Sequence, residues 1–166
     1  MLSNQEVAEE LLGKFGDQVF DFEEPYGLLT VSTTREEIIP VISFLQEHKH
    51  YQVIFLTDLT GIHYPDVPGK EFMVVYHLHS LVHNFRIRIK VSLSGADLHI
   101  PTLTPLFAAA NWMERETYDF FGIIFDGHPN LIRILNIEEM DYFPMRKEHA
   151  LEDATRNDKT DALFGR

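Results

Sequence analysis

The chain has 166 residues, 45% of them hydrophobic and 24% charged, which suits one globular domain with a real core. A formal charge of −12, from 14 basic and 26 acidic side chains, argues against nucleic-acid binding and against docking on an anionic lipid surface. The lack of any cysteine excludes a disulfide framework, fits a reducing compartment, and removes the thiolates that chiefly hold iron–sulfur clusters.

In chain order, residues 1–16 (MLSNQEVAEELLGKFG) are acidic and hold no long apolar run, so they do not read as a secretory signal. Ser3 or Asn4 caps a first helix with Val7, Leu11, Leu12 and Phe15 on its apolar face and Gly16 at its end. Residues 19–22 form a short strand and 28–32 (LLTVS) a stronger one, rich in branched side chains. Thr34 with Glu37 makes a capping-box pattern for a second helix that runs to about His50. Its stripe is Ile38, Val41, Ile42 and Leu45, and Pro40 lies in its first two turns. Residues 52–64 begin with an almost continuous apolar run and read as a central strand, with Asp58 or Gly61 as possible breaks.

Residues 65–70 are a turn, and 71–80 and 84–93 are two strands of an antiparallel hairpin. In the second, Phe85, Ile87, Ile89 and Val91 alternate with Arg86, Arg88 and Lys90, giving one dry and one wet face. Residues 95–103 read as a loop. No window approaches the roughly 20 apolar residues that span a bilayer.

The stretch 105–135 organises the rest. Thr104 stands at a helix cap, Pro105 at the first helical position and Gly122 at the left-handed end. At 3.6 residues per turn, Leu106, Ala109, Ala110, Met113, Thr117 and Phe120 form a core stripe. Arg115 and Asp119 fall four apart on the far side, where they can pair, and Phe107, Asn111, Glu114 and Tyr118 make a mixed third face. Glu116 lies at the stripe's edge beside Trp112 and Phe120. Aromatic residues on more than one face leave two readings open: a second chain covers this helix, or Phe107 and Tyr118 tuck under a local loop. Ile124 and Phe125 extend briefly, Asp126-Gly127 turns, and residues 141–166 read as an irregular tail. The fold class expected is α+β, with helices on one face of a mainly antiparallel sheet over residues 1–135 and a C-terminal extension over 136–166.

Candidate chemistry is sparse. His77 and His79 share one strand face with His83 nearby, but no Asp, Glu or Cys stands in that run, so a partly wet sheet face is favoured over a metal site or a small metallohydrolase. Glu114 and Glu116 are two apart on a helix and diverge, which favours structural roles over an acid/base pair. His128-Pro129 reads as a rigid turn with a hydrogen-bonding imidazole. No phosphate loop and no GxGxxG fingerprint occurs, so nucleotide binding is unsupported and no resident cofactor is expected.

The run Glu114-Arg115-Glu116-Thr117-Tyr118-Asp119-Phe120-Phe121-Gly122-Ile123, then residues 125–131 (FDGHPNL) and Arg133-Ile134-Leu135, resembles the signature of one family. That family is the subunit named C of proton-pumping NADH-quinone oxidoreductase, respiratory complex I. Related subunits occur in membrane-bound hydrogenases and other quinone-linked dehydrogenases. The family commonly carries Gly-His-Pro-Leu-Arg-Lys where this chain has Tyr142-Phe143-Pro144-Met145-Arg146-Lys147, so the tail's path should persist with altered local contacts. The resemblance implies a non-redox, peripheral-arm subunit on the cytoplasmic side of the membrane. It would touch the quinone-site subunit, named D, and the iron–sulfur subunits, with flavin and clusters held by those partners. The contact residues it implies are Glu114, Arg115, Glu116, Asp119, Phe121, Gly122, His128, Pro129, Arg133, Arg146 and Lys147.

Overall fold

The computed structural model describes residues 3–149; the expected tail beyond 149 lies outside them. Helix α1 spans Asn4–Phe15. Ser3 caps it: its hydroxyl accepts the Glu6 amide at 3.2 Å, and the Glu6 carboxylate accepts the Ser3 amide at 3.1 Å. Val7 and Leu11 are buried, but Leu12 is half exposed. Leu12 follows Val7 by five residues, about 140° around the helix, so it leaves the stripe.

Strands β1 (Val19–Glu23) and β2 (Leu29–Thr33) follow. Helix α2 is Ile38–Glu47, starting later than the Thr34 cap suggested and ending before His50. Residues 34–37 instead make a hydrogen-bonded turn, with the Glu37 amide on the Thr34 carbonyl at 3.3 Å. Pro40 explains the delay. In a helix starting at 38 it sits in the first turn, where amides have no intrahelical acceptor; in one starting at 35 it would delete a bond. The expected stripe of Ile38, Val41, Ile42 and Leu45 is fully buried.

Strands β3 (Phe55–His63), β4 (Phe72–Ser80) and β5 (Phe85–Leu93) complete a five-stranded sheet in the order β1-β2-β5-β4-β3. Three pairings are antiparallel and β2–β5 is parallel. The expected hairpin is β4–β5. The expected central strand is β3, and it lies at the edge. Ile54 and Phe55 in its apolar run are about half exposed, while Val53 and Leu56 point inward. Gly61 does not break it: a Cβ there would stand 2.7 Å from the Phe121 ring, so glycine lets the last helix approach. The register shifts instead between Leu56 and Asp58.

Helix α3 is Ala110–Phe121, and the short strands β6 (His99–Pro101), before it, and β7 (Ile124–Asp126), after it, pair in parallel. The loop expected over 95–103 thus contains a strand. The helix begins five residues after the expected Pro105. Thr104 does not cap it: its amide donates to Thr102 Oγ1 at 3.1 Å and its hydroxyl lies 3.0 Å from the same oxygen, and turns occupy residues 103–109. Gly122 ends the helix as expected, at φ 77° and ψ 23°.

Side chains from α1, α2, α3 and alternate positions of the strands form one core on one face of the sheet, with Tyr76, Ile87 and Ile89 at its middle. The opposite face carries His77, His79, Arg86, Arg88 and Lys90, with no helix among the described residues over it.

Candidate functional site

Helix α3 carries two carboxylates into places that water does not reach. Glu114, in its first half, is fully buried. The β6–β7 pairing and a 3.0 Å bond from the Thr102 amide to the Asp126 carbonyl bring residues 102–103 against it. Glu114 Oε2 then accepts the Thr102 hydroxyl at 2.5 Å, and Oε1 accepts the Leu103 amide at 2.6 Å. Burial pushes the Glu114 carboxyl up to about 7, against the pull of those two donors. The Tyr76 phenol is buried with no hydrogen-bond partner among the described residues, and burial together with the Glu114 charge raises it.

His128 stands 4.0 Å from Glu114 with its side chain enclosed. Its Nδ1 accepts the Asn130 amide at 3.0 Å, which assigns the ring proton to Nε2, 3.1 Å from the Asn111 carbonyl. The imidazole therefore ties the turn after β7 to the start of α3, as a structural histidine.

Asp119, in the second half, is also fully buried. Oδ1 accepts Arg133 Nη1 at 2.7 Å, and Oδ2 accepts the amides of Ile134, Leu135 and Asn136 at 3.1, 2.8 and 2.9 Å. Burial alone would raise this carboxyl, but the donors from Asn136, Arg133 and Leu135 outweigh it and hold the group well below the ordinary carboxylate range. Arg133 further donates to the carbonyls of Asp119, Met140 and Tyr142 at 3.0, 2.8 and 2.9 Å. One ion pair thus gathers residues 133–142 onto the helix.

Arg115 does not pair with Asp119, whose oxygens are already taken on the buried side. It donates to the Ile132 and Arg133 carbonyls at 3.1 and 3.0 Å and lies 5.4 Å from the Trp112 ring centre. Trp112 itself is 59% exposed, and Glu116 is exposed beside it. Phe107 enters the core, and Tyr118 meets Phe143 edge-on at 6.0 Å. Those two aromatics follow the local-loop reading.

Beyond Gly122, Arg146 Nε donates to the Phe121 carbonyl at 2.8 Å, its guanidinium 4.7 Å from the Phe143 ring centre and 5.1 Å from that of Phe72. The Met145 amide bonds the Phe120 carbonyl at 3.2 Å, and the Lys147 amide bonds His63 Nδ1 at 3.0 Å. The aromatic Phe143 fills the space that opens above Gly122, where a Cβ would meet its ring at 2.6 Å.

The site residues divide clearly. Glu114, Asp119, Phe121 and Gly122 are buried, His128, Arg133 and Arg146 bond backbone groups within the chain, and Glu116, Pro129 and Lys147 are exposed. Thr102 and Phe143 were missed as members; their distance in sequence from α3 leaves no periodic signal. On the open sheet face, His77 Nε2 accepts Arg88 Nε at 2.9 Å, and no group of three potential metal ligands occurs among the described residues.

Fold and site together define an α+β domain whose last helix uses buried charge to anchor an irregular extension. The family profile of the 30 kDa subunit of respiratory-chain NADH dehydrogenase matches residues 31–155. The chain belongs to that family. It is 45% identical over 125 residues to the NADH-quinone oxidoreductase subunit named C of a Nocardioides species, covering 75% of this chain and 50% of that one. It therefore spans about half the length of that relative. The subunit of the same name in Citrifermentans bemidjiense is 39% identical over 156 residues, covering 94% and 95%. A Proteus mirabilis subunit named C/D is 41% identical over 154 residues, covering 88% of this chain and 25% of its own.

Among solved structures, the trypsin-resistant fragment of Nqo5 superposes with a TM-score of 0.65 at 34% identity, covering 76% of this chain and 98% of the fragment. A chain of an archaeal membrane-bound sulfane sulfur reductase gives 0.72 at 22% identity, covering 89% and 85%, a likeness of fold alone.

Proposed function

We propose that this chain is a non-redox structural subunit in the peripheral arm of a proton-translocating NADH-quinone oxidoreductase. Its task is to position the quinone-site subunit, named D, and the iron–sulfur subunits so that electrons from NADH reach quinone. The observation that carries this reading is the use of the signature residues. They fasten residues 131–147 to α3 and leave Trp112, Ile132, Leu135 and Ile137 exposed on the resulting surface. A chain that builds so firm a scaffold beneath exposed apolar residues is suited to docking on other proteins.

In this reading Glu114, Asp119, Phe121 and Gly122 act through the shape they hold, while Glu116, Pro129 and Lys147 are free to touch a neighbour. Residues 1–135 form the domain and 136–166 the contacting extension. The subunit named C/D in Proteus mirabilis, of which this chain matches a quarter, supports the quinone-site subunit as the neighbour. Without cysteine the chain lacks the thiolates that chiefly hold iron–sulfur clusters, and this reading assigns those clusters and the flavin to the partners. Among the described residues no helix is long and apolar enough to cross a membrane; attachment to the cytoplasmic side of the membrane runs through the partners.

The test is removal of the chain from its cells. Membranes should lose NADH-driven quinone reduction yet keep NADH oxidation by ferricyanide, which takes electrons from the remaining subunits. Retained quinone reduction, or turnover by the purified chain alone, contradicts the reading.

A further inference from the structure

The uncovered face of the sheet opposes the charge of the molecule that carries it. The chain is strongly acidic, and the exposed sides of α1 and α2 include Glu6, Glu9, Glu10 and Glu47. On the open face, β5 projects Arg86, Arg88 and Lys90 in one row, because side chains two apart on a strand share a face. The carboxylates facing them come from Glu23 on β1 and Asp58 on β3. Glu23 pairs with Lys90 at 3.2 Å, and Asp58 stands 3.7 Å from His77. His77 in turn accepts from Arg88, and His79 lies 3.4 Å from Asn84. Among the described residues no carboxylate lies within ion-pair distance of Arg86 or Arg88, so two guanidinium groups remain without an anion on this face.

Both arginines line a groove of about 580 Å³ whose other wall is the turn 25–27. That turn holds Tyr26 at φ 56°, a left-handed backbone unfavourable for a residue with a Cβ, with its ring wholly exposed. Asn4 anchors the turn through bonds to Glu24 and to the Gly27 carbonyl at 2.6 and 3.2 Å. The adjoining β4–β5 turn exposes Leu81 and Val82. An exposed tyrosine and two neighbouring arginines are of the residue types enriched at the hot spots of protein–protein interfaces, and Leu81 and Val82 add apolar area at the rim. The planar fork of each guanidinium matches a carboxylate.

We propose that this face, centred on Arg86, Arg88 and Tyr26, binds an acidic surface of a neighbouring polypeptide, separately from the face built by α3. The inference rests on the chain's working within an assembly. Its test is arranged to fail independently of the assembly's identity.

Arg86→Lys and Arg88→Lys retain the charge and add amines that carbodiimide couples to carboxylates in direct contact. The full chain, tagged and isolated from its own cells at low salt with its bound proteins, is treated with carbodiimide, and the coupled peptides are mapped by mass spectrometry. The expected product joins position 86 or 88 to an Asp or Glu of another polypeptide. Arg86→Glu with Arg88→Glu should lower recovery of that polypeptide at least tenfold in a chain that still unfolds in one cooperative transition, the lost bond from Arg88 to His77 shifting its midpoint only slightly. Coupling confined to the chain's own Glu23 or Asp58, or equal recovery after charge reversal, overturns the proposal. So does binding to vesicles of anionic phospholipid that charge reversal abolishes in the absence of any protein coupling. The co-isolated proteins' identities test the function proposed above; the coupled position tests this face, whichever polypeptide it reaches.

Discussion

The two halves of α3 each bury a carboxylate, and their surroundings treat the two in opposite ways. Glu114 receives two neutral donors and, among the described residues, no lysine or arginine within ion-pair contact, so burial dominates and its proton is retained up to about 7. Asp119 receives the Arg133 guanidinium and three backbone amides, so it stays ionised well into acid. Burial alone therefore does not decide how a carboxyl titrates; the count and charge of the donors do. The first half of α3 is a polar plug in the core, and the second is a charged clamp on the extension.

Removing the clamp should have the largest effect. Asp119→Ala leaves Arg133 buried without its anion and three amides without an acceptor, so a loss of about 3–5 kcal/mol is expected in urea unfolding. Glu114→Gln should cost much less, about 1 kcal/mol, because the group it replaces is close to half neutral already. Equal losses would erase the contrast between the halves.

Gly122→Ala strains the same region sterically. It places a Cβ at positive φ and 2.6 Å from both Arg146 and Phe143, so a loss of about 2 kcal/mol or more is expected. Limited proteolysis should then cut near residues 143–147 faster than in the parent chain.

The pH dependence separates the halves directly. The folded-state value of Glu114, about 7, lies above its ordinary 4.5. Between those values the folded chain binds the extra proton, so this contribution is complete below about 4.5 and is lost as pH rises through 7. Stability should fall by about 2 kcal/mol between pH 5 and 7 from this group, and the slope should vanish in Glu114→Gln. Asp119 works the other way: its contribution is present above the ordinary aspartate range and is lost only as pH falls through its depressed value.

The smallest effect on folding is expected at Trp112→Ala, within about 0.5 kcal/mol, since the ring is mostly in water. The same substitution should weaken recovery of partner proteins with the chain. An unchanged recovery would detach the exposed apolar surface from the proposed function.

Local rules read much of this fold correctly. The cap at Ser3, the α2 stripe, the Phe85 to Leu93 alternation and the Gly122 stop are all short-range patterns. Three features depend on particular contacts that hydrophobic periodicity and capping patterns do not display. The edge position of β3 follows from β5 inserting between β4 and β2. The late start of α3 follows from Thr104 bonding Thr102 instead of capping. Asp119 chooses Arg133 over Arg115 because the extension folds back across the buried side. At the site, the membership of residues 114–133 was legible as a signature, but their internal roles emerged only from which atoms they meet.

Amide hydrogen exchange at Ile134, Leu135 and Asn136 tests the central claim, that Asp119 clamps the extension to α3. These three amides belong to a segment without regular structure, yet they should exchange as slowly as core amides in the parent chain. They should exchange at least a hundredfold faster in Asp119→Ala, under conditions where the amides of β4 and β5 keep their protection. Fast exchange at all three in the parent chain, or no change on substitution, would contradict the account.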